Sequence, residues 1–173
     1  LSLINDLLDV AKIESGKVEI HPEQIDCVAL VDEIAAALRP MAEEKNLSFE
    51  VELPDPPPTL YSDRRALSQI LINLLNNAIK FTDEGSVCLE LSRDDSRGRT
   101  RFAVSDTGPG IEPADQERLF QAFEQTREAE RHAGGTGLGL YICRQLADLI
   151  DGELGLESTP GKGSTFALEL SPP

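Results

Sequence analysis

The chain has 173 residues, enough for one domain with a sizeable core or one domain with a short appendage. Its 16 basic and 31 acidic residues leave a net charge of −15, which repels phosphate backbones and anionic lipid and argues against non-specific binding to nucleic acid or a membrane surface. No apolar run approaches the roughly 20 residues of a membrane span, and the three widely spaced cysteines, Cys27, Cys88 and Cys143, predict buried reduced thiols in a cytosolic protein and no disulfide or zinc framework.

The chain opens in mid-pattern at Leu1 without a Met, so it is expected to be a fragment of a longer protein. LSLINDLLDVAKIESG carries apolar residues at 3, 4, 7, 8, 10 and 11, a helical stripe ending near Gly16. With no partner helix close in sequence, that stripe is expected to pack on something beyond the fragment. KVEIHPEQID alternates like a short strand, and Cys27 to Asn46 reads as a helix in which Pro40 predicts a kink or break. LSFEVEL at 47–53 alternates as a strand, PDPPP at 54–58 is a stiff loop, and Asp63 is placed to cap a helix running to about Phe81.

In that helix Ile70, Leu71, Leu74, Leu75, Ala78 and Ile79 fill one half of the circumference, while Asn73, Asn77 and Lys80 cluster opposite at spacings of four and three. Such a face is either a solvated surface or a site. Asn is a poor helix former, and three within five positions favour a site. A neutral amide oxygen can ligate Mg²⁺ without cancelling its pull on phosphates, and Lys supplies a point charge for phosphate.

SVCLELS and TRFAVSD read as an antiparallel pair with polar turn residues between them. DTGPGI at 106–111 follows. It is either a Gly-Pro turn in which Asp106 satisfies local amides, or a site where Asp106 accepts from an exocyclic amine such as that of adenine while Gly108 and Gly110 admit a flat ring. A short helix is expected after Pro113, then a mobile charged loop over 124–135. GGTGLGL at 134–140 opens the helix LGLYICRQLADLID, so backbone N–H groups at its start form a candidate anion site. It is neither a dinucleotide fingerprint nor a Walker A loop, because no strand precedes it and GKGST at 161–165 lacks the required spacing. GELGLES and STFALEL close the chain as a hairpin. The elements together predict an α+β fold: a two-layer α/β sandwich whose mixed, largely antiparallel sheet has helices packed on one face.

NLLNNAIKFT resembles an N box, DTGPGI a first glycine box, LFQAFEQ at 119–125 an F box and GGTGLGL a second glycine box. In this order and spacing the chain from about 17 to 170 resembles the ATP-binding catalytic domain of sensor histidine kinases, within the wider family of gyrase, Hsp90 and MutL ATPases. Residues 1–16 resemble the end of the second dimerisation helix, leaving 17–173 as the catalytic domain. The resemblance implies ATP and Mg²⁺ as ligands, with the metal on Asn77, phosphates on Asn73 and Lys80, and the base flanked by Phe81. It implies that Asp106 reads the adenine amine and that Thr165 supports Asp106 through a hydrogen bond or a water. Gly108, Gly110 and Ile111 of the first glycine box, and Gly135, Thr136, Gly137, Leu138, Gly139 and Leu140 of the second, become nucleotide-contacting positions. Residues 124–135 become the ATP lid, with Phe120 and Phe123 anchoring its root.

The hydrolysing members carry a Glu four residues before the metal-binding Asn. Here that position is Asn73, so no carboxylate is poised to activate water, and transfer of the γ-phosphoryl group is expected instead. Neither His21 nor His132 lies in the family's acceptor motif, so no catalytic histidine is assigned. The fragment is expected to donate to a histidine on a separate dimerisation domain, with a response regulator receiver domain downstream. A non-catalytic nucleotide-binding module and an ATP-hydrolysing relative are the alternatives. No nucleic acid and no direct membrane contact are expected, in a cytoplasmic domain whether or not the parent is attached to the inner membrane. The fragment is expected to be monomeric and the parent a homodimer. The roles of Arg127, Arg131 and His132 stay open.

Overall fold

The computed structural model describes residues 2–124 and 136–172. In chain order the elements are α1 (Ser2–Glu14), β1 (Glu23–Asp26), α2 (Cys27–Glu44), β2 (Ser48–Glu52), β3 (Thr59–Ser62), α3 (Arg64–Phe81), β4 (Ser86–Asp94), β5 (Arg99–Asp106), α4 (Pro113–Gln116), α5 (Gly139–Leu149), β6 (Gly152–Thr159) and β7 (Gly163–Leu170). Five strands form the main sheet in the order β2-β4-β5-β7-β6, and β1 pairs with β3 in a separate two-stranded sheet. Only the β2–β4 pair is parallel in the main sheet.

Strand alternation makes the sheet one-sided. Val87, Leu89, Leu91, Phe102, Val104, Phe166, Leu168 and Leu170 are all buried toward the helices. The other face is polar and crossed by ion pairs, Arg101 with Glu90 at 3.1 Å and Arg99 with Glu153 and Glu169 at 2.9 and 3.1 Å. Helix α3 is the centre of the helical layer. Its apolar half-circumference, Ile70, Leu71, Leu74, Leu75, Ala78 and Ile79, is buried between the sheet and the flanking helices α2 and α5. Truncating one of these leucines to Ala would cost about 2–5 kcal/mol. The expected two-layer α/β sandwich is therefore the observed one.

Asp63 caps α3 as its position predicts, accepting from Ala66 N at 2.8 Å. Its second oxygen accepts from His21 N at 2.8 Å, so one carboxylate fixes both the helix start and the incoming segment. Three local expectations are corrected. Helix α2 runs through Pro40 without a break. Pro40 and Ala36, whose carbonyl loses its helical donor, are both exposed, so water can serve the freed carbonyl. The strand expected over KVEIHPEQID is confined to Glu23–Asp26, because its partner β3 offers only four residues. That partner, Thr59–Ser62, was not expected at all: TLYS is too short after the proline run to show a period.

Helix α1 packs Val10 and Ile13 against the core and leaves Leu3, Ile4, Leu7 and Leu8 exposed. Three of its acids reach the domain. Asp9 accepts from Gln69 of α3 at 2.9 Å, Asp6 accepts from Thr136 at 2.8 Å, and Glu14 accepts from the Tyr141 hydroxyl. The cysteines are free, Cys27 and Cys143 buried and Cys88 half-buried. Among the described residues no helix is long and apolar enough to cross a membrane.

Candidate nucleotide site

The register of the sheet decides where the chemistry lies. Asp106 is the last residue of β5, opposite Val87 on one side and Ser164 on the other, so its side chain emerges at the rim of the sheet beneath the C-terminal end of α3. A pocket opens there, walled by Asn77, Ala78 and Phe81 of α3, by Pro109, Gly110 and Ile111 of the following turn, and by Leu119, Leu140 and Phe166. Asp106 and Ser164 are the polar groups at its sheet end. The walls are mostly apolar, which suits an aromatic ring, and a single carboxylate faces them.

The Asp106 carboxylate accepts from Gly108 N at 3.0 Å and from the backbone N–H of Ser164. Burial nevertheless dominates and pushes its pKa above the usual carboxylate range, with those two donors pulling against it. A half-buried anion with few donors is a strong acceptor for an amine N–H. Lys80 shows the matching effect: desolvation lowers its pKa, and its ammonium lies 5.3 Å from the centre of the Phe81 ring, at the edge of the pocket. Lys45, which the sequence did not single out, caps the end of α3 by donating to the carbonyls of Ile79 and Lys80 at 2.7 and 3.0 Å.

Asn73 and Asn77 part company. Asn77 lines the pocket. Asn73 is not among the residues that wall it; near Asn73, the Cys143 thiol of α5 donates to the Ile70 carbonyl at 3.7 Å, and burial raises that thiol to about 12, with the Asn73 side chain offsetting part of the rise. The two glycines of the first box also act differently from expectation. A Cβ on Gly110, whose φ is +72°, would stand 2.2 Å from the carbonyl oxygen of Thr159. A Cβ on Gly108 would meet the carbonyl of Phe81 and the Thr82 hydroxyl at 3.1 Å. These glycines make room for the chain itself, Gly110 for the Thr159 carbonyl and Gly108 for Phe81, Thr82 and the Asp106 carboxylate, and so fix the turn that carries the pocket wall.

In the second box, Gly137 packs on the backbone of Phe123, whereas a Cβ on Gly139 would point into open space. Gly139 begins α5, so its N–H is open to approach. Leu138 is fully buried, Leu140 faces the pocket, and the Thr136 hydroxyl accepts from Leu138 N at 3.2 Å while donating to Asp6. Gly135, Arg127, Arg131 and His132 lie outside the described residues, as does nearly all of the expected lid. Phe120 stacks edge-on against Phe166 with centroids 6.2 Å apart, as a root anchor should. Phe123 departs from the pair: the residue is 62% exposed, and its backbone N–H donates to the Gly137 carbonyl at 2.8 Å.

Thr165 is also corrected. Its hydroxyl pairs with Ser105 at 2.9 Å on the outer face of the sheet, one pleat away from Asp106. Ser164 occupies the position expected of it. The signal was present in STFALEL: with Phe166, Leu168 and Leu170 inward, a period of two puts residue 164 inward and 165 outward. His21 is exposed, its ring 3.7 Å from Glu19.

A family model described as "Histidine kinase-, DNA gyrase B-, and HSP90-like ATPase" matches residues 62–173. The chain is 40% identical over 178 residues to the sensor protein GacS of Pseudomonas syringae pv. syringae, covering all of this chain and 20% of that protein. Among solved structures it resembles full-length ShkA in complex with AMPPNP, with a TM-score of 0.87 and 36% identity over 99% of this chain and 35% of that one. It also resembles the mycobacterial sensor histidine kinase MprB, with a TM-score of 0.76 and 27% identity over 86% of this chain and 97% of that one. The chain thus spans about a fifth of the length of the curated relative.

Proposed function

The chain belongs to the histidine kinase-, DNA gyrase B- and HSP90-like ATPase family, and from that premise we propose that it binds ATP with Mg²⁺ and donates the γ-phosphoryl group to a histidine on a separate dimerisation domain. The observation that carries this reading is the pocket itself, a largely apolar slot at the end of α3 that presents one half-buried carboxylate, Asp106, to its occupant. Adenine offers an exocyclic amine to such an acceptor and a ring to such walls. Phe81 flanks the base, the Lys80 ammonium beside its ring meets a phosphate, and the N–H groups at the start of α5 are further phosphate donors.

The residues present fit Mg²⁺ as well. Asn77 offers a neutral amide oxygen at the pocket's mouth, and this metal is usually held by one or two protein oxygens with water and phosphate oxygens completing the set. When bound, the ion neutralises phosphate charge in a chain that is itself strongly negative. The Asn73 position, a neutral amide, supplies no carboxylate to activate water. This supports transfer over hydrolysis: the bond between the γ-phosphorus and the bridging oxygen breaks, a bond to an imidazole nitrogen forms, and ADP leaves.

Residues 1–16 are proposed as the end of a dimerisation helix, which accounts for the exposed Leu3, Ile4, Leu7 and Leu8 on a helix otherwise tied to the domain. The 173-residue chain is proposed to be monomeric, its parent a homodimer, and the eventual phosphoryl acceptor a response regulator receiver domain. The test is phosphotransfer from γ-labelled ATP to an added helical acceptor domain bearing its histidine. Labelling that needs Mg²⁺ and vanishes in Asn77→Ala is expected; tight ATP binding without any labelling would instead favour a regulatory module.

A further inference from the structure

Helix α5 begins at the second glycine turn without a cap of its own: Leu138 stands at the cap position and offers no side-chain acceptor to the N–H groups of the first turn. Acids of α1 come to this place instead. Asp6, half-buried, accepts from the Thr136 hydroxyl at 2.8 Å, and the same hydroxyl oxygen accepts from Leu138 N at 3.2 Å. Thr136 has one proton, and giving it to Asp6 leaves a lone pair for Leu138, so the carboxylate orients the bond inside the turn. Glu14 accepts from the hydroxyl of Tyr141, in the first turn of the same helix. Two of the three acids of α1 thus meet the start of α5.

Carboxylates beside a helix N-terminus are favourable in themselves. They oppose a phosphate that seeks the same N–H groups, because like charges a few ångströms apart repel, and a half-buried charge is screened less than an exposed one. The opposing charge does not belong to the turn. Asp6 lies 130 residues from Thr136 in sequence, on the helix proposed above as the end of a dimerisation segment.

We propose that Asp6 is a charge-selecting residue of the nucleotide site: its carboxylate, held on Thr136, weakens binding in step with the negative charge that a nucleotide brings to the second glycine turn. This rests on the nucleotide reading above, with phosphates at the start of α5. The base is untouched, since neither Asp6 nor Thr136 walls the pocket that takes it. By linkage the effect runs both ways, and a bound triphosphate loosens the hold of α1 on the domain by the same factor.

Titration calorimetry on the whole 173-residue chain with Mg²⁺ and ATP, ADP or adenosine tests this. Asp6→Asn keeps an oxygen that can accept from Thr136 and removes only the charge. It is expected to tighten ATP about three- to tenfold, ADP less, and adenosine by less than about twofold, with the gain for ATP fading as salt is raised toward roughly 1 M. Asp6→Ala gives the same ranking, as charge and not the tether is responsible. Unchanged affinities, an equal gain for all three ligands, or a gain in Asp6→Ala alone would overturn the inference. So would a loss of ATP affinity, which would make the carboxylate a support of the turn or a partner of the metal. Each of these results leaves the nucleotide reading standing, whereas a wild-type chain that binds no ATP removes that reading itself.

Discussion

Asp106 carries a charge where the surroundings disfavour one. Its pKa in the folded chain is raised by burial, so the folded state holds the proton more tightly than the unfolded chain does. The ionised group therefore subtracts from stability at pH values above its folded pKa. That deficit fades as pH falls through the folded pKa toward the unfolded value of about 3.9. Asp106→Asn removes the titration. The melting temperature of the variant minus that of the wild type should fall as pH is lowered from neutral toward 4, and a difference that stays constant or grows in acid would contradict the assignment. A site that keeps a destabilising charge in an apolar slot needs a ligand that uses it, and an amine donor is the simplest one. Gly110 makes the same point from the other side: it is placed by the Thr159 carbonyl of a strand distant in sequence, which no local pattern displays, whereas the inward turn of Ser164 is written in the period of two of STFALEL.

The helices and strands were legible wherever a period of 3.6 or 2 ran long enough to count. Helix α3 shows both its apolar half and its polar stripe, and β4, β5, β6 and β7 alternate over eight or nine residues each. What was not legible depends on partners distant in the chain. Strand β3 exists because β1 pairs with it, and α2 continues through Pro40 because the carbonyl it strands faces water. The polar stripe itself divides: Asn77 lines the pocket, but Asn73, one turn earlier, does not. Asp63 shows how much one well-read residue can carry. The cap was expected and the tether to His21 was not, so Asp63→Ala should lose a helix cap and leave a part-buried N–H without its acceptor. A loss of about 1–3 kcal/mol in urea unfolding is expected, and a change below about 0.5 kcal/mol would show that the second bond contributes nothing.

At the scale of the molecule, a one-sided sheet covered by three helices leaves its working edge where β5 ends, and the two glycine turns and the end of α3 converge there. The surface is strongly acidic, so a triphosphate gains nothing from the overall field and must be held by local donors. Helix α1 is tied to the second glycine turn through Asp6 and to the first half of α3 through Asp9, while its leucines stay exposed. The central claim is that a Mg²⁺-loaded adenine nucleotide occupies the slot between Asn77 and Asp106. Isothermal titration of Mg²⁺·AMPPNP into the wild-type, Asn77→Ala and Asp106→Ala chains tests it directly. One saturable site of micromolar affinity in the wild type, lost in both variants, is the result predicted; equal affinity in all three chains would contradict it.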